Sequence, residues 1–222
     1  MNPKTTKIYL YTRYERFWHW LQMALIVLLL ATGLEIHGLY SLFGFEPSVE
    51  IHNFTGIGWL MAFAVFVFWL FTTGEWRQYI PTTRKMLEVI KYYAHGIFLG
   101  QPHPYPKRKL AKHNPLQRLT YLSLAAFLLP VQMATGILYW TYNSWTSRGF
   151  DFLSLQVIAA IHMAGAFALI SFLIIHVYMT TTGHSLFAHI KSMITGWEEI
   201  DEGVKIEDWE RARGKPTQPS GT

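Results

Sequence analysis

The apolar positions of this chain gather into four runs, about Phe17–Leu34, Phe54–Thr73, Leu119–Tyr142 and Leu155–Met179. Within each run hydrophobic residues occupy every side, without the three-to-four spacing of a helix half sunk in a soluble core, so most of them must face lipid. Crossing the hydrocarbon layer takes about 20 such residues, and each run predicts a membrane-spanning helix. The first follows a basic segment, as a secretory signal would. No small-residue cleavage site follows it and three more spans do, so it is expected to stay in the chain as a helix.

Two shorter segments alternate at helical spacing. In Thr83–Phe98, Met86, Leu87, Ile90, Ala94, Ile97 and Phe98 share one face, Arg84, Lys85, Glu88 and Lys91 the other, and Gly100 and Pro102 end the pattern. Leu186, Phe187, Ile190, Met193, Ile194 and Trp197 repeat it after the fourth run, ending near Gly196. Both predict helices lying in the cytoplasmic interface or packed on a partner subunit, and the pattern serves either. The acidic run Glu198-Glu199-Ile200-Asp201-Glu202 reads as a solvated stretch, and the polar, Pro/Gly/Ser/Thr-rich chain from Gly203 as disordered. The expected division is a membrane domain over 1–197 and a cytoplasmic tail over 198–222.

Charge then gives the orientation. Of 19 Lys and Arg residues, four precede span one, nine lie between spans two and three, five follow span four, and only Arg148 falls in the other two loops. The positive-inside bias places both termini in the cytoplasm. The pI of about 9.3 is thus a topology signal, and no basic stretch sits in a nucleic-acid-binding module. With 51% hydrophobic and 15% charged residues the chain is no soluble domain, and zero cysteines exclude disulfides, iron–sulfur ligation and c-type haem attachment.

There is an internal echo. Ala31-Thr32-Gly33-Leu34 ends span one and Ala134-Thr135-Gly136-Ile137 sits late in span three; Ile51-His52 with Gly56 is matched by Ile161-His162 with Gly165, and Thr72-Thr73-Gly74 by Thr181-Thr182-Gly183. Two related helix hairpins in parallel orientation would give this pattern.

Ionisable residues inside spans are rare and are read first as functional. His19 lies at the cytoplasmic start of span one and His176 near the cytoplasmic end of span four; His52 opens span two on the outside and His162 comes early in span four. That makes two pairs, each at one depth. His162 and His176 are fourteen residues apart, which returns them to within about 40° on a helix and separates them by about 21 Å along its axis. Two imidazoles converging at one level form the axial set of a b-type haem, so two stacked haems could wire the membrane. Gly33, Gly56, Gly136 and Gly165 offer flat space beside a helix, although small residues also serve plain helix packing. A zinc site would want three or four ligands in one cluster. A proton relay in a transporter or channel remains the rival from another class, and would favour broken helices and inverted repeats. A pure membrane anchor is a third possibility, and leaves the four matched histidines unexplained. His37, His95, His103, His113, His184 and His189 fall in loops or interface segments.

Arg13-Tyr14-Glu15-Arg16-Phe17-Trp18-His19-Trp20, His52, His162 with His176, and His113-Asn114-Pro115-Leu116-Gln117-Arg118 together resemble the di-haem cytochrome b subunits that anchor nickel–iron hydrogenases, formate dehydrogenases and thiosulfate reductase-type enzymes. The resemblance runs from about Tyr9 to Trp197. It implies that His19 and His176 bind a cytoplasmic-side haem, His52 and His162 an outer one, and that a quinone binds beside the former. Asn114 and Gln117 match polar positions lining that quinone site in formate dehydrogenase anchors, where a glycine stands at the position of Leu116, which alters the pocket's expected shape. Asn114-Pro115 is also a plain helix-start signal. Arg16 and Arg118 suit a haem propionate or lipid headgroups, snorkelling to headgroups being the commoner role of basic residues at span ends.

The chain is therefore expected to be an all-α integral membrane protein, a four-transmembrane-helix bundle with cytoplasmic interfacial helices, in the bacterial cytoplasmic (inner) membrane. It is not expected to be catalytic alone. As the quinone-reactive subunit of a respiratory oxidoreductase complex, it would pass electrons between an outward-facing iron–sulfur or multihaem subunit and quinone. The sequence does not choose the direction of flow.

Overall fold

The protein is described from a computed structural model covering residues 5–101, 103–105, 112–182 and 185–201; His184 and the polar tail from Gly203 lie outside the described residues. A short strand, β1 (Thr5–Tyr9), leads into α1 (Arg13–Ile36), the first span. Thr12 starts it with a reciprocal cap: its hydroxyl accepts from Glu15 N at 3.3 Å and Glu15 Oε2 accepts from Thr12 N at 2.7 Å. Two of the helix's orphan amides are thereby satisfied.

The second span, α2 (Phe45–Thr73), is 29 residues long and begins nine residues before the apolar run at Phe54. Glu46, Pro47 and Glu50 make its first turns read as loop, but proline is tolerated in the first helical turn, where the missing N–H costs nothing. His52 consequently sits two turns inside the helix and not at its start.

After α3 (Met86–Ala94), the third span runs from Pro115 to Trp140 as α4 (Pro115–Ser123), a five-residue π turn over Leu124–Leu128, and α5 (Leu129–Trp140). Asn114 and Gln117 repeat the reciprocal cap, at 2.9 and 3.0 Å, with Pro115 at the first helical position. In the π turn, Leu129 N reaches back to Leu124 O. The wider turn makes room for Pro130, whose ring would crowd a regular helix and which has no proton to donate. The fourth span is α6 (Leu155–Thr180), its first turn capped by Ser154.

All four helices are long and apolar enough to cross a membrane. They form a bundle in which α1 packs on α2 and α5 on α6. Trp59 of α2, Leu129 and Met133 of α5 and Leu169 of α6 are buried at its centre, with Leu25 and Leu29 of α1 against them. Phe54, Phe68, Phe71, Phe127 and Ile174 point outward and are exposed. Apolar side chains pointing outward are what a lipid solvent permits.

The acidic run differs from its reading as a solvated stretch. Trp197–Asp201 forms β2, antiparallel to β1, with Tyr9 opposite Trp197 and Thr5 opposite Asp201. Glu198 is buried, and its carboxylate meets His189 Nδ1 at 3.1 Å. Alternation put its odd and even positions on opposite faces of a two-stranded ribbon, a pattern hidden by the charges. Between β2 and α7 (Ala188–Thr195), Gly196 O accepts from Leu10 N and Tyr11 N at 2.8 and 3.2 Å. Gly196 has φ +88°, and a Cβ there would lie 2.6 Å from the Tyr9 ring and 2.8 Å from Tyr11 O. Only glycine fits both the backbone and the space. This clasp brings both ends of the described chain to one end of the bundle, called the basic end below.

The two amphipathic segments are helical where the pattern places them, but shorter. In α3 Leu87 and Ile90 stay exposed, as does Phe98 beyond it, whereas Val89 is the residue fully buried, against Tyr105, Tyr93 and Leu116. Leu186, Phe187 and Ile194, at and before α7, are likewise exposed.

Candidate functional site

The four intramembrane histidines meet in two pairs. His19 of α1 and His176 of α6 face each other at the basic end, ring centroids 6.1 Å apart; His52 of α2 and His162 of α6 do so at the far end, 6.3 Å apart. The interplanar angles are 45° and 76°. A metal ion between two opposed imidazoles needs two metal–nitrogen bonds of about 2 Å and two ring half-widths of about 1 Å, roughly 6 Å in all. Both separations fit that span. Among the described residues no three of His, Asp or Glu gather into a metal-binding group, so each donor set is two imidazoles and nothing more. Leu169 lies midway between His162 and His176 on α6, and the apolar core around it separates the two levels.

The far pair is tightly built. Thr32 Oγ1 lies 2.9 Å from His52 Nδ1 and Thr135 Oγ1 lies 3.1 Å from His162 Nδ1. The adjacent glycines let the rings come close: a Cβ on Gly33 would be 3.3 Å from His52 Cε1, and one on Gly136 would be 3.1 Å from His162 Cε1. The internal echo of Ala-Thr-Gly thus marks two seats of the same construction. Gln132 Nε2 lies 3.3 Å from His162 Nε2. One turn beyond Thr32, Glu35 Oε1 accepts from the amides of Leu42, Phe43 and Gly44 at 2.7, 2.7 and 2.8 Å, which ties the connection between α1 and α2 to this end of the bundle.

The pair at the basic end is built otherwise. His19 Nδ1 is buried with no partner among the described residues. The His19 ring meets Trp20 edge-on at 5.2 Å and the His176 ring stacks on Phe172 at 5.5 Å. Here α1 is tied to α7, the helix that follows α6: Trp20 Nε1 donates to Met193 O at 3.1 Å, and Arg16 donates to Ile194 O and lies 3.5 Å from Tyr9 OH.

Beside it lies a polar cluster at the ends of the spans and the connections between them. Lys112 is buried, with Nζ 2.6 Å from Glu15 Oε1 and 3.6 Å from Glu75 Oε2. Asn114 spends its amide on the helix cap and on a 2.9 Å bond to Tyr93 OH, and Gln117 Oε1 is taken by the cap. Arg118 is buried, bonded to His113 O at 3.1 Å and Tyr105 OH at 3.3 Å, so neither it nor Arg16 is free of the protein. Burial pushes the Tyr93 hydroxyl up to about 12. It pushes those of Tyr11 and Tyr79 up as well, with nearby Glu15 adding to both.

The four histidines paired by depth in the sequence stand as two facing pairs in the structure, and Thr32, Thr135, Glu35 and Lys112 beside them were not singled out as site residues. For the threonines the repeated tripeptide was the available signal. For Glu35 and Lys112 none exists, because their partners are backbone amides or residues tens of positions away.

Comparison with known proteins agrees with this architecture. Residues 10–196 match the family model described as prokaryotic cytochrome b561. "Putative cytochrome YdhU" of Escherichia coli (strain K12) is 32% identical over 198 residues, covering 86% of this chain and 74% of that protein. No solved structure matches.

Proposed function

On the premise that this chain belongs to the prokaryotic cytochrome b561 family of membrane electron-transfer proteins, we propose that it carries two b haems between an outward-facing redox partner and the quinone pool. It does so as a multi-pass subunit of a bacterial inner membrane, with the basic end in the cytoplasm. The observation that carries this reading is the pair of two-imidazole sets, 6.1 and 6.3 Å across, at opposite ends of one helix.

His19 and His176 hold the cytoplasmic-side haem and His52 and His162 the outer one. Held by these histidines, each haem would supply a one-electron ferric–ferrous couple. The chain's own part is to present the imidazoles already converged and to keep water from the space between the two levels. Trp59, Leu129, Met133 and Leu169 provide that dry separation. The partner is an iron–sulfur or multihaem subunit, since this chain has no cysteine for either group. The quinone site belongs at the cytoplasmic end near Asn114 and Gln117. Their cap and the Tyr93 bond fix the start of α4 there, and Leu116 packs toward Val89 and Tyr105 beside them.

The test is haem quantification with dithionite-reduced minus oxidised spectra on purified wild-type protein, His52→Ala and His176→Ala. Two b haems per chain are expected, with a different one lost or made five-coordinate in each variant. A folded wild-type protein without colour would overturn the reading and return the histidines to a proton pathway.

A further inference from the structure

The two imidazole pairs differ in what their Nδ1 atoms meet. A threonine hydroxyl has one proton to give. Thr32 donates it to Leu28 O at 2.8 Å, and Thr135 donates to Val131 O at 2.8 Å, each in the preceding turn of its own helix. The contacts at 2.9 Å to His52 and 3.1 Å to His162 can then only run the other way, with the ring N–H donating to the hydroxyl oxygen. Both rings are thereby assigned, from the hydrogen-bond network, a proton on Nδ1 and a lone pair on Nε2. The 3.3 Å approach of Gln132 Nε2 to His162 Nε2 agrees, an amide N–H meeting that lone pair.

We infer that Thr32 and Thr135 are positioning residues that fix His52 and His162 as Nε2 ligands and hold the outer haem at a lower reduction potential than bare imidazoles would. This rests on the two-haem reading given above. A coordinated imidazole that donates its other N–H is the more basic ligand. A more basic ligand favours ferric iron, so adding one electron to give ferrous iron, with the Nδ1 proton staying on the ring, is less favourable. Because each threonine also donates to a helix carbonyl, its oxygen is polarised into a better acceptor. The arrangement is too specific for a chance contact. Thr32 and Thr135 both precede a glycine on which a Cβ would press against the same ring atom, Cε1. Hydroxyl back-bonding alone is common in helices, but it does not call for a ring seat beside it. At the other level His19 Nδ1 has no partner among the described residues, and the His176 ring stacks on Phe172 and faces His19.

The experiment is spectroelectrochemical determination of both midpoint potentials in purified wild type, in Thr32→Val with Thr135→Val, in each single valine variant and in the Thr32→Ser with Thr135→Ser pair. The outer component is identified as the one missing in His52→Ala. It is expected to move upward in the valine variants and to return in the serine pair, while the inner component stays in place. The expected size is a several-fold to tenfold change in the ferric–ferrous equilibrium, tenfold being about 59 mV for one electron. Loss of the outer haem in valine but not serine variants would equally support the hydroxyl's role. Both haems bound with an unmoved outer component, equal movement of both components, or loss of the outer haem in the serine pair too would overturn the inference. A wild-type protein without two haems would instead overturn the reading beneath it.

Discussion

The far end and the basic end hold equivalent pairs of histidines by different means. At the far end each ring is gripped locally, by a threonine and a glycine on the neighbouring helix, so each pair member is fixed within its own hairpin: His52 by α1, His162 by α5. At the basic end His19 Nδ1 has no partner among the described residues and His176 stacks on Phe172 of its own helix. There α1 is tied instead to the segment that follows α6, by a clasp between the two ends of the described chain through Trp20, Arg16 and Gly196. A local grip fixes tautomer and orientation of the individual ring; a remote clasp fixes only how far apart two helices stand. The far pair is therefore sensitive to single atoms beside it, and the basic pair to the integrity of a contact well outside the bundle core.

The strongest way to break the contrast is Gly136→Val. The added side chain enters space where even a Cβ lies 3.1 Å from His162 Cε1, and a branched residue cannot be absorbed by a shift of a few tenths of an ångström. Loss of the outer haem with retention of the inner one is expected in the difference spectrum; retention of both would show that the far seat is loose. Gly196→Ala should give the intermediate effect. It combines a φ of +88° with a clash against Tyr9 and Tyr11 O, a cost of about 1–2 kcal/mol or more. Here the low-temperature electron paramagnetic resonance signal of the inner haem should broaden or shift while the outer one is unchanged. Trp20→Phe is the mildest, removing a single hydrogen bond to Met193 O, worth about 1 kcal/mol. Thermal unfolding should move down slightly, with both haems retained. If Gly196→Ala instead disturbed the outer signal, the division of labour between grip and clasp would fail.

The four spans were legible because lipid imposes so simple a pattern, and the His pairs because fourteen residues nearly complete four helical turns. The boundaries of α2 were hidden where Glu46, Pro47 and Glu50 interrupt the apolar run, since polar residues in a first turn look like loop. Strand β2 was hidden for a related reason: three carboxylates in five residues read as solvated, and only pairing with β1 and the His189 contact let Glu198 be buried. Thr32 and Thr135 were visible as a repeat, yet nothing in a linear pattern says which ring a hydroxyl will meet. The π turn answers to Pro130, which the sequence displays, but the extra residue in the turn is a three-dimensional accommodation.

One helix, α6, contributes a histidine to each pair. During synthesis and insertion, neither pair can exist until this last span has joined the other three. A nascent chain ending before Leu155 would offer His19 and His52 at different depths, each without its partner histidine on α6. If the pairs hold the haems as proposed, cofactor loading would be tied to completion of the bundle, and a chain arrested partway into the membrane would have no finished site at which redox chemistry could begin.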